Sequence, residues 1–295
     1  MIIDAIINFE SVDISYILGL LSSGYILSIT KPDVFGGTTA TFTSGTCSCV
    51  ISGLLVGFGS RLGSGCTSGH GICGLPRLSL RSLAAVMTFM TTGALSSYYT
   101  RQYRIPVNSV IPFTSWEGPI TENILPYMLP TAVAVTVAYL FKPKSNSTLS
   151  ISRCISSFAS ALVFGLGLGI SGMLNPQRVI KFLDFTEDDG WDPSLMAVMG
   201  GGVMFNIFSF YYLKKNSKTI KYSTDPANMK IDFPLVAGSA MFGLGWGFAG
   251  ACPGPSLVSL GAGVGCSKYF VASMISGMFI SNLLKRDRKN EIKSK

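Results

Sequence analysis

The chain has 295 residues, 48% hydrophobic and 13% charged, with a mean hydropathy of +0.45 and a net charge of +8. Soluble domains carry roughly a quarter charged residues, so this composition excludes a water-coated globule and points to one integral membrane domain. Seven cysteines, an odd number scattered through apolar stretches, exclude a secreted disulfide framework.

The N-terminal segment carries acidic Asp4, Glu10 and Asp13, without a basic n-region or a small-residue cleavage pattern, so no cleaved leader is expected. Apolar spans follow near residues 14–29, 47–62, 83–98, 124–141, 155–174, 194–213, 233–249 and 269–284. Several fall short of the ~20 residues a bilayer needs, and Gly, Ser and Pro interrupt them. Broken or re-entrant helices lining a cavity are the expected solution. The predicted fold is therefore an all-α integral membrane protein with about eight or nine spans.

Charge in the loops orients it. Residues 142–153, the run Lys214, Lys215, Lys218, Lys221 and Lys230, and the tail 285–295 are basic, which places them and the C-terminus in the cytoplasm. The loop 184–192 carries Glu187, Asp188 and Asp189 and belongs outside. Each basic run abuts an apolar span, so the partner is a lipid bilayer and no nucleic acid.

Two segments answer each other across the chain. Gly57, Gly59 and Cys66 align at one constant offset with Gly243, Gly245 and Cys252. Residues 19–24 (GLLSSG) are echoed more faintly by 167–172 (GLGISG), each followed by a proline, Pro32 and Pro176. The order predicts a first repeat over 14–100 and a second over 155–284, the latter with an extra span at 194–213. Eight spans make the helices entering the two cysteine motifs run in opposite senses, as in inverted repeats meeting near the midplane.

The string Ser64-Gly65-Cys66-Thr67-Ser68-Gly69-His70-Gly71-Ile72-Cys73-Gly74 is too glycine-rich for a good helix. It suits an irregular turn with exposed N–H groups leading into a helix N-terminus, an anion-binding arrangement. Cys252-Pro253-Gly254-Pro255-Ser256 breaks its helix by removing two donors. Cys47, Cys49 and Cys154 read as small hydrophobes. Cys66, His70 and Cys73 have spacing that suits zinc or Cu(I), but the glycines argue against a regular helix and no fourth ligand is evident, so no metal or other cofactor is expected. A lone histidine in apolar surroundings more often braces a loop through backbone carbonyls. Arg61 lies in an apolar run, and Arg77 and Arg81 follow the thiol loop; they either flank the membrane face or draw anions to a mouth. Paired carboxylates, a Ser–His–Asp set, a Walker loop and a dinucleotide fingerprint are all missing, so an enzyme is not expected.

Gly65-Cys66-Thr67-Ser68-Gly69-His70-Gly71, with Cys73-Gly74 and Arg77-Leu78-Ser79, resembles the signature of the YeeE/YedE family of sulfur-compound transporters. Gly169-Ile170-Ser171-Gly172-Met173 with Asn175-Pro176, Trp191-Asp192-Pro193-Ser194-Leu195 and the stretch from Phe242 to Pro255 resemble its companion half. The resemblance covers most of residues 15–284 and implies two family half-proteins fused in one chain. It also implies an hourglass-shaped, pseudo-symmetric transporter for thiosulfate, in which thiols at the constriction relay the anion by S–H hydrogen bonds. Carried over by motif, those thiols are Cys66 and Cys252. Thr67, Ser68, Gly69, His70, Gly71, Gly254 and Ser256 complete the expected substrate site, with Cys73, Cys266, Arg61, Arg77 and Arg81 as secondary candidates. A family cysteine near the first helix is replaced here by Ser22 and Ser23, which shortens the relay or changes the substrate to sulfite, sulfide or a persulfide. A cytoplasmic sulfur-accepting protein is the partner such a route invites. Two competing readings share these residues: a thiol-based metal or metalloid transporter, and a membrane sulfurtransferase forming a persulfide on Cys66.

Overall fold

A bilayer offers no water to an open backbone group, so an apolar chain must close its hydrogen bonds locally. A computed structural model of the chain describes residues 11–35, 45–101, 151–186, 190–216 and 231–294, and these hold helices and no strand. In chain order they are α1 (Ser11–Thr30), α2 (Gly45–Leu62), α3 (Leu80–Thr100), α4 (Ile151–Ile170), α5 (Pro176–Leu183), α6 (Ser194–Asn216), α7 (Phe233–Ala249), α8 (Pro253–Gly261) and α9 (Ser267–Ser294). A first half-helix, Thr67–Arg77, stands between α2 and α3. The expected span at 124–141 lies outside the described residues, as do most of the charged loops used to orient the chain.

Among the described residues, three helices are long and apolar enough to cross a membrane: α1, α4 and Ser194–Tyr212 of α6. The number rises to five if each of two bent pairs counts as one span. The first pair is α2 with the first half-helix, bent by 44°, and the second is α7 with α8, bent by 43°. Local signals set several boundaries. Asn175 caps α5 by accepting from the Gln177 N–H at 3.0 Å, with Pro176 at the first helical position. Ser79 caps α3 through the Ser82 N–H.

Glycine decides which helices touch, because apolar lipid tails give no hydrophobic reason for apolar helices to pair. Gly53 faces Phe270 and Ser273, and Gly57 faces Met274, so α2 and α9 lie side by side in the same direction. Gly243 faces Phe89 and Thr92, and Gly247 faces Gly93, so α7 and α3 do likewise. Between these two pairs, Gly59 meets Gly238 and Phe242 while Gly245 meets Ser52 and Val56; α2 and α7 are therefore antiparallel. Phe89 packs edge-on against Phe242 and Trp246, with ring centroids 5.7 and 5.8 Å apart, and fills the core beside this junction.

The outer helices hold the half-helices. Gly24 of α1 abuts the Val258 carbonyl of α8, and Gly261 abuts the Leu21 carbonyl in return. On the other side, Gly202 of α6 faces the Ile72 side chain of the first half-helix. Helix α4 runs beside α1 in the same direction, through Gly19 with Ala161, Ser23 with Gly165 and Leu27 with Gly169.

Candidate functional site

Each bent pair turns on a left-handed residue. Beyond α2, Gly63 N–H donates to the Gly59 carbonyl at 2.8 Å and Gly65 N–H to the Ser60 carbonyl at 3.0 Å, with Ser64 at φ 63°. At the end of α7, Gly250 N–H donates to Trp246 at 2.8 Å with φ 66°. The chain then extends through Cys66 (φ −123°) and Cys252 (φ −101°), each standing immediately before its half-helix. Because α2 and α7 are antiparallel and each half-helix deviates from its parent by under 45°, the two half-helices leave the cysteines in opposing senses. Their N-terminal ends face a common point.

At that point the motifs touch. The Thr67 hydroxyl lies 3.6 Å from the Cys252 sulfur, and the Ser68 hydroxyl lies 3.2 Å from the Cys66 sulfur. Both thiols are free and half-buried. Neither cysteine side chain caps its helix, so the first-turn N–H groups stay directed at the junction. In α8, Pro253 and Pro255 carry no N–H and the Ser256 N–H bonds the Cys252 carbonyl at 3.0 Å. The donor that remains in that turn is Gly254. Ser256 Oγ also donates to the Cys252 carbonyl, at 2.7 Å, which fixes the extended residue rather than facing the junction. Gly69 borders open space, where an added Cβ would meet nothing within 4 Å. Two helix N-termini, two hydroxyls and two thiols make a site suited to a small anion.

His70 is a brace. Its Nε2–H donates to the Gly63 carbonyl at 3.2 Å, which leaves Nδ1 to accept from the Ser82 hydroxyl at 3.3 Å. Both ring nitrogens are engaged within the protein, and the ring ties the half-helix back to the end of α2 and to α3. Gly65 is required beneath it, since a Cβ there would fall within 2.6 Å of the imidazole. Among the described residues, no three His, Cys, Asp or Glu side chains converge to hold a metal ion.

The secondary candidates lie away from the junction. Cys73 is exposed, and Cys266 is buried beside Cys49 at the start of α9. Arg77 stacks over Phe210 at 4.7 Å. Arg81 pairs with Asp232 at 2.9 Å. Arg61 donates to Asn282 at 3.2 Å while its carbonyl accepts from Lys285 Nζ at 2.6 Å. Burial, then the nearby Arg61 and Arg81, lower the Lys285 pKa against the opposing pull of Asp232, so these four charges share one end of the helix pack. On the α8 side, a cleft lined by Phe35, Met173, Ser259 and Val264 reaches Ala251 and Ser256, which flank Cys252 and its first turn.

One site residue was absent from the expected set. Asn206 of α6 donates from Nδ2 to the Ile72 carbonyl at 3.1 Å. A single amide within an apolar span was the available signal.

Residues 4–95 match a family model described as sulphur transport, and residues 152–293 match one described as a family of unknown function. A "Probable transporter" of Xylella fastidiosa strain Temecula1 is 40% identical over 133 residues, which are 44% of this chain and 89% of that protein. A "Probable transporter" of strain 9a5c is 40% identical over 130 residues, 43% of this chain and 88% of its own length. A further "Probable transporter" of strain 9a5c is 37% identical over 92 residues, 31% of this chain and 66% of the relative.

Proposed function

Because the chain belongs to the YeeE/YedE-type family of sulfur transporters, and is a membrane transporter of sulfur compounds, we propose that it takes up thiosulfate through the junction of its two half-helices. The observation that carries this reading is the Thr67–Cys252 contact, which joins two motifs far apart in sequence at the N-termini of both half-helices. A dianion entering a low-dielectric slab must exchange water for fixed donors. Backbone N–H groups supply them without a full countercharge, and thiols are weak donors that release the anion as readily as they receive it. Cys66, Thr67, Ser68, Gly69 and Gly254 contact the anion in this scheme. Gly71, His70 and Ser256 hold the backbone that presents them.

The reading extends to the architecture. Two family models on separate halves, and relatives of about half the length, support a fusion of two half-proteins. Reciprocal contacts support a pseudo-two-fold exchange: Gly59 against Phe242 has its counterpart in Gly245 against Val56, and Gly57 against Met274 in Gly243 against Phe89. The same exchange pairs α1 with α6, since they hold the second and first half-helices at Val258 and Ile72. The echo between residues 19–24 and 167–172 had paired α1 with α4. Those two lie parallel, whereas α2 and α7 are antiparallel, so one operation does not relate both pairs. We therefore take α1 to α3 and α6 to α9 as the repeats and α4 as the added element, with eight spans once α3, α9 and 124–141 are included. The C-terminus is cytoplasmic in this arrangement, by the charge of the 285–295 tail.

The test is thiosulfate uptake into proteoliposomes by the unmodified protein, Cys66→Ala and Cys252→Ala. Uptake that both substitutions abolish is the expected result. Well-folded protein that moves no thiosulfate, or uptake indifferent to both substitutions, overturns the relay.

A further inference from the structure

We propose that the first half-helix is the moving gate of this route, and that Asn206 is the positioning residue that latches it. The proposal rests on the transport reading above and deepens it. Three observations single out this half-helix against its counterpart.

The first is its winding. Thr67–Gly74 is π-helical, and the Leu75 N–H donates to the His70 carbonyl five residues back. Such turns are rare, looser than an α-helix, and concentrated at functional sites. Its counterpart α8 is an ordinary α-helix. The second is backbone strain at both ends. The half-helix is bracketed by Ser64 at φ 63° and Leu78 at φ 56°, non-glycine residues in the left-handed region. On the other side Gly250, at the position matching Ser64, has φ 66°, and the chain leaves α8 through Gly263 at φ 69°, where no Cβ resists. The same turns are thus made twice, once relaxed and once strained. A side chain there costs about 1–2 kcal/mol, and such strain persists only where the surroundings enforce it. The third is the grip of the neighbouring helix. Helix α1 locks α8 backbone to backbone through Gly24 and Gly261. Helix α6 holds the first half-helix by side chains alone: Met199 over Gly71, Ile72 against Gly202, and the Asn206 amide on the Ile72 carbonyl.

A strained, loosely wound element held to α6 by one side-chain hydrogen bond has a lower-energy rearrangement within reach. Release of the Ile72 carbonyl lets the π-turn shorten by one residue toward an α-turn. That rotation carries Cys66 and Thr67 with it and parts Thr67 from Cys252. The α8 side stays fixed.

The experiment compares alkylation rates of Cys66 and Cys252 by N-ethylmaleimide, resolved by peptide mass spectrometry, in the full chain in proteoliposomes. Asn206→Leu removes the latch and is expected to speed Cys66 labelling about fivefold, the equivalent of one net hydrogen bond of ~1 kcal/mol, with Cys252 unchanged. Asn206→Gln restores the slow rate. Leu78→Gly, at a side chain 86% exposed and without packing to lose, relaxes the resting form and slows Cys66 labelling. Equal changes at both thiols, or none at either across these variants, overturn the gate. Labelling needs no substrate, so its asymmetry without thiosulfate uptake keeps the gate and removes the transport reading, while uptake without asymmetry does the reverse.

Discussion

The two half-helices occupy matching places and are built from different material. The second starts behind two prolines, winds as an α-helix and turns on glycine at both ends. The first winds as a π-helix, turns on serine and leucine, and is pinned by its own His70 to the end of α2 and by Asn206 of α6. In the repeat proposed above the two frames are equivalent, and they diverge where one of them is proposed to move. Contacts between α2, α3, α7 and α9 stay reciprocal, because a glycine pressed against a neighbouring backbone leaves no room for a side chain.

That contrast gives a graded set of tests. The largest effect belongs to the frame itself. Gly57→Leu and Gly243→Leu each drive a side chain into the backbone of a neighbouring helix, at Met274 and Phe89. Overpacking of this kind costs about 1–3 kcal/mol and more where backbone has to move. Both variants are expected to lose most of their folded yield in detergent, by equal amounts. If Gly243→Leu folds normally, α7 is not the counterpart of α2 and the exchange fails.

Next come the turns. Gly250→Val places a β-branched residue at φ 66° with its Cβ against the Pro176 carbonyl. It is expected to lower stability by about 2 kcal/mol or more, read as thermal melting in detergent. Ser64→Gly, at the matching position, runs the opposite way. Removing the left-handed penalty stabilises by about 1 kcal/mol, partly offset by the greater freedom of glycine in the unfolded chain. Substitutions of opposite sign at equivalent positions sharpen the comparison. Two losses would mean that Ser64 is held by something other than its turn.

Much of this was legible in the sequence, and the misses have physical causes. The thiols and the glycine spacing stood out because close helix contacts leave a fixed period in one dimension. The string from Ser64 to Gly74 was expected to be an irregular turn. Ser64–Cys66 do form such a turn, but Thr67–Gly74 closes π-type hydrogen bonds, which glycine weakens but does not forbid. That His70 braces the loop through a backbone carbonyl was expected from its apolar setting; which groups it holds, the Gly63 carbonyl and the Ser82 hydroxyl, no sequence pattern reports. Arg61, Arg77 and Arg81 were visible as charges, but their partners Asn282, Phe210 and Asp232 come from other helices. The pairing of residues 19–24 with 167–172 followed local composition. The pairing of α1 with α6 proposed above rests instead on Gly24 and Gly202, which meet opposite half-helices at Val258 and Ile72.

The smallest effect is predicted for the stability of Leu78→Gly, and it is informative for that reason. Leu78 is exposed and packs nothing, so its replacement removes no burial. Relief of the left-handed conformation is worth about 1–2 kcal/mol, while glycine adds unfolded-state entropy worth roughly 0.5–1 kcal/mol. The two nearly cancel, and the melting temperature is expected to rise by only a few degrees. Transport responds to a different difference, that between the resting and rearranged half-helix. Both of those are folded, so the unfolded-state term drops out and the relief acts in full on the resting form. Uptake is therefore expected to slow about tenfold in a protein of almost unchanged stability. A proportional change in both would make Leu78 an ordinary strained turn, with no part in a gate.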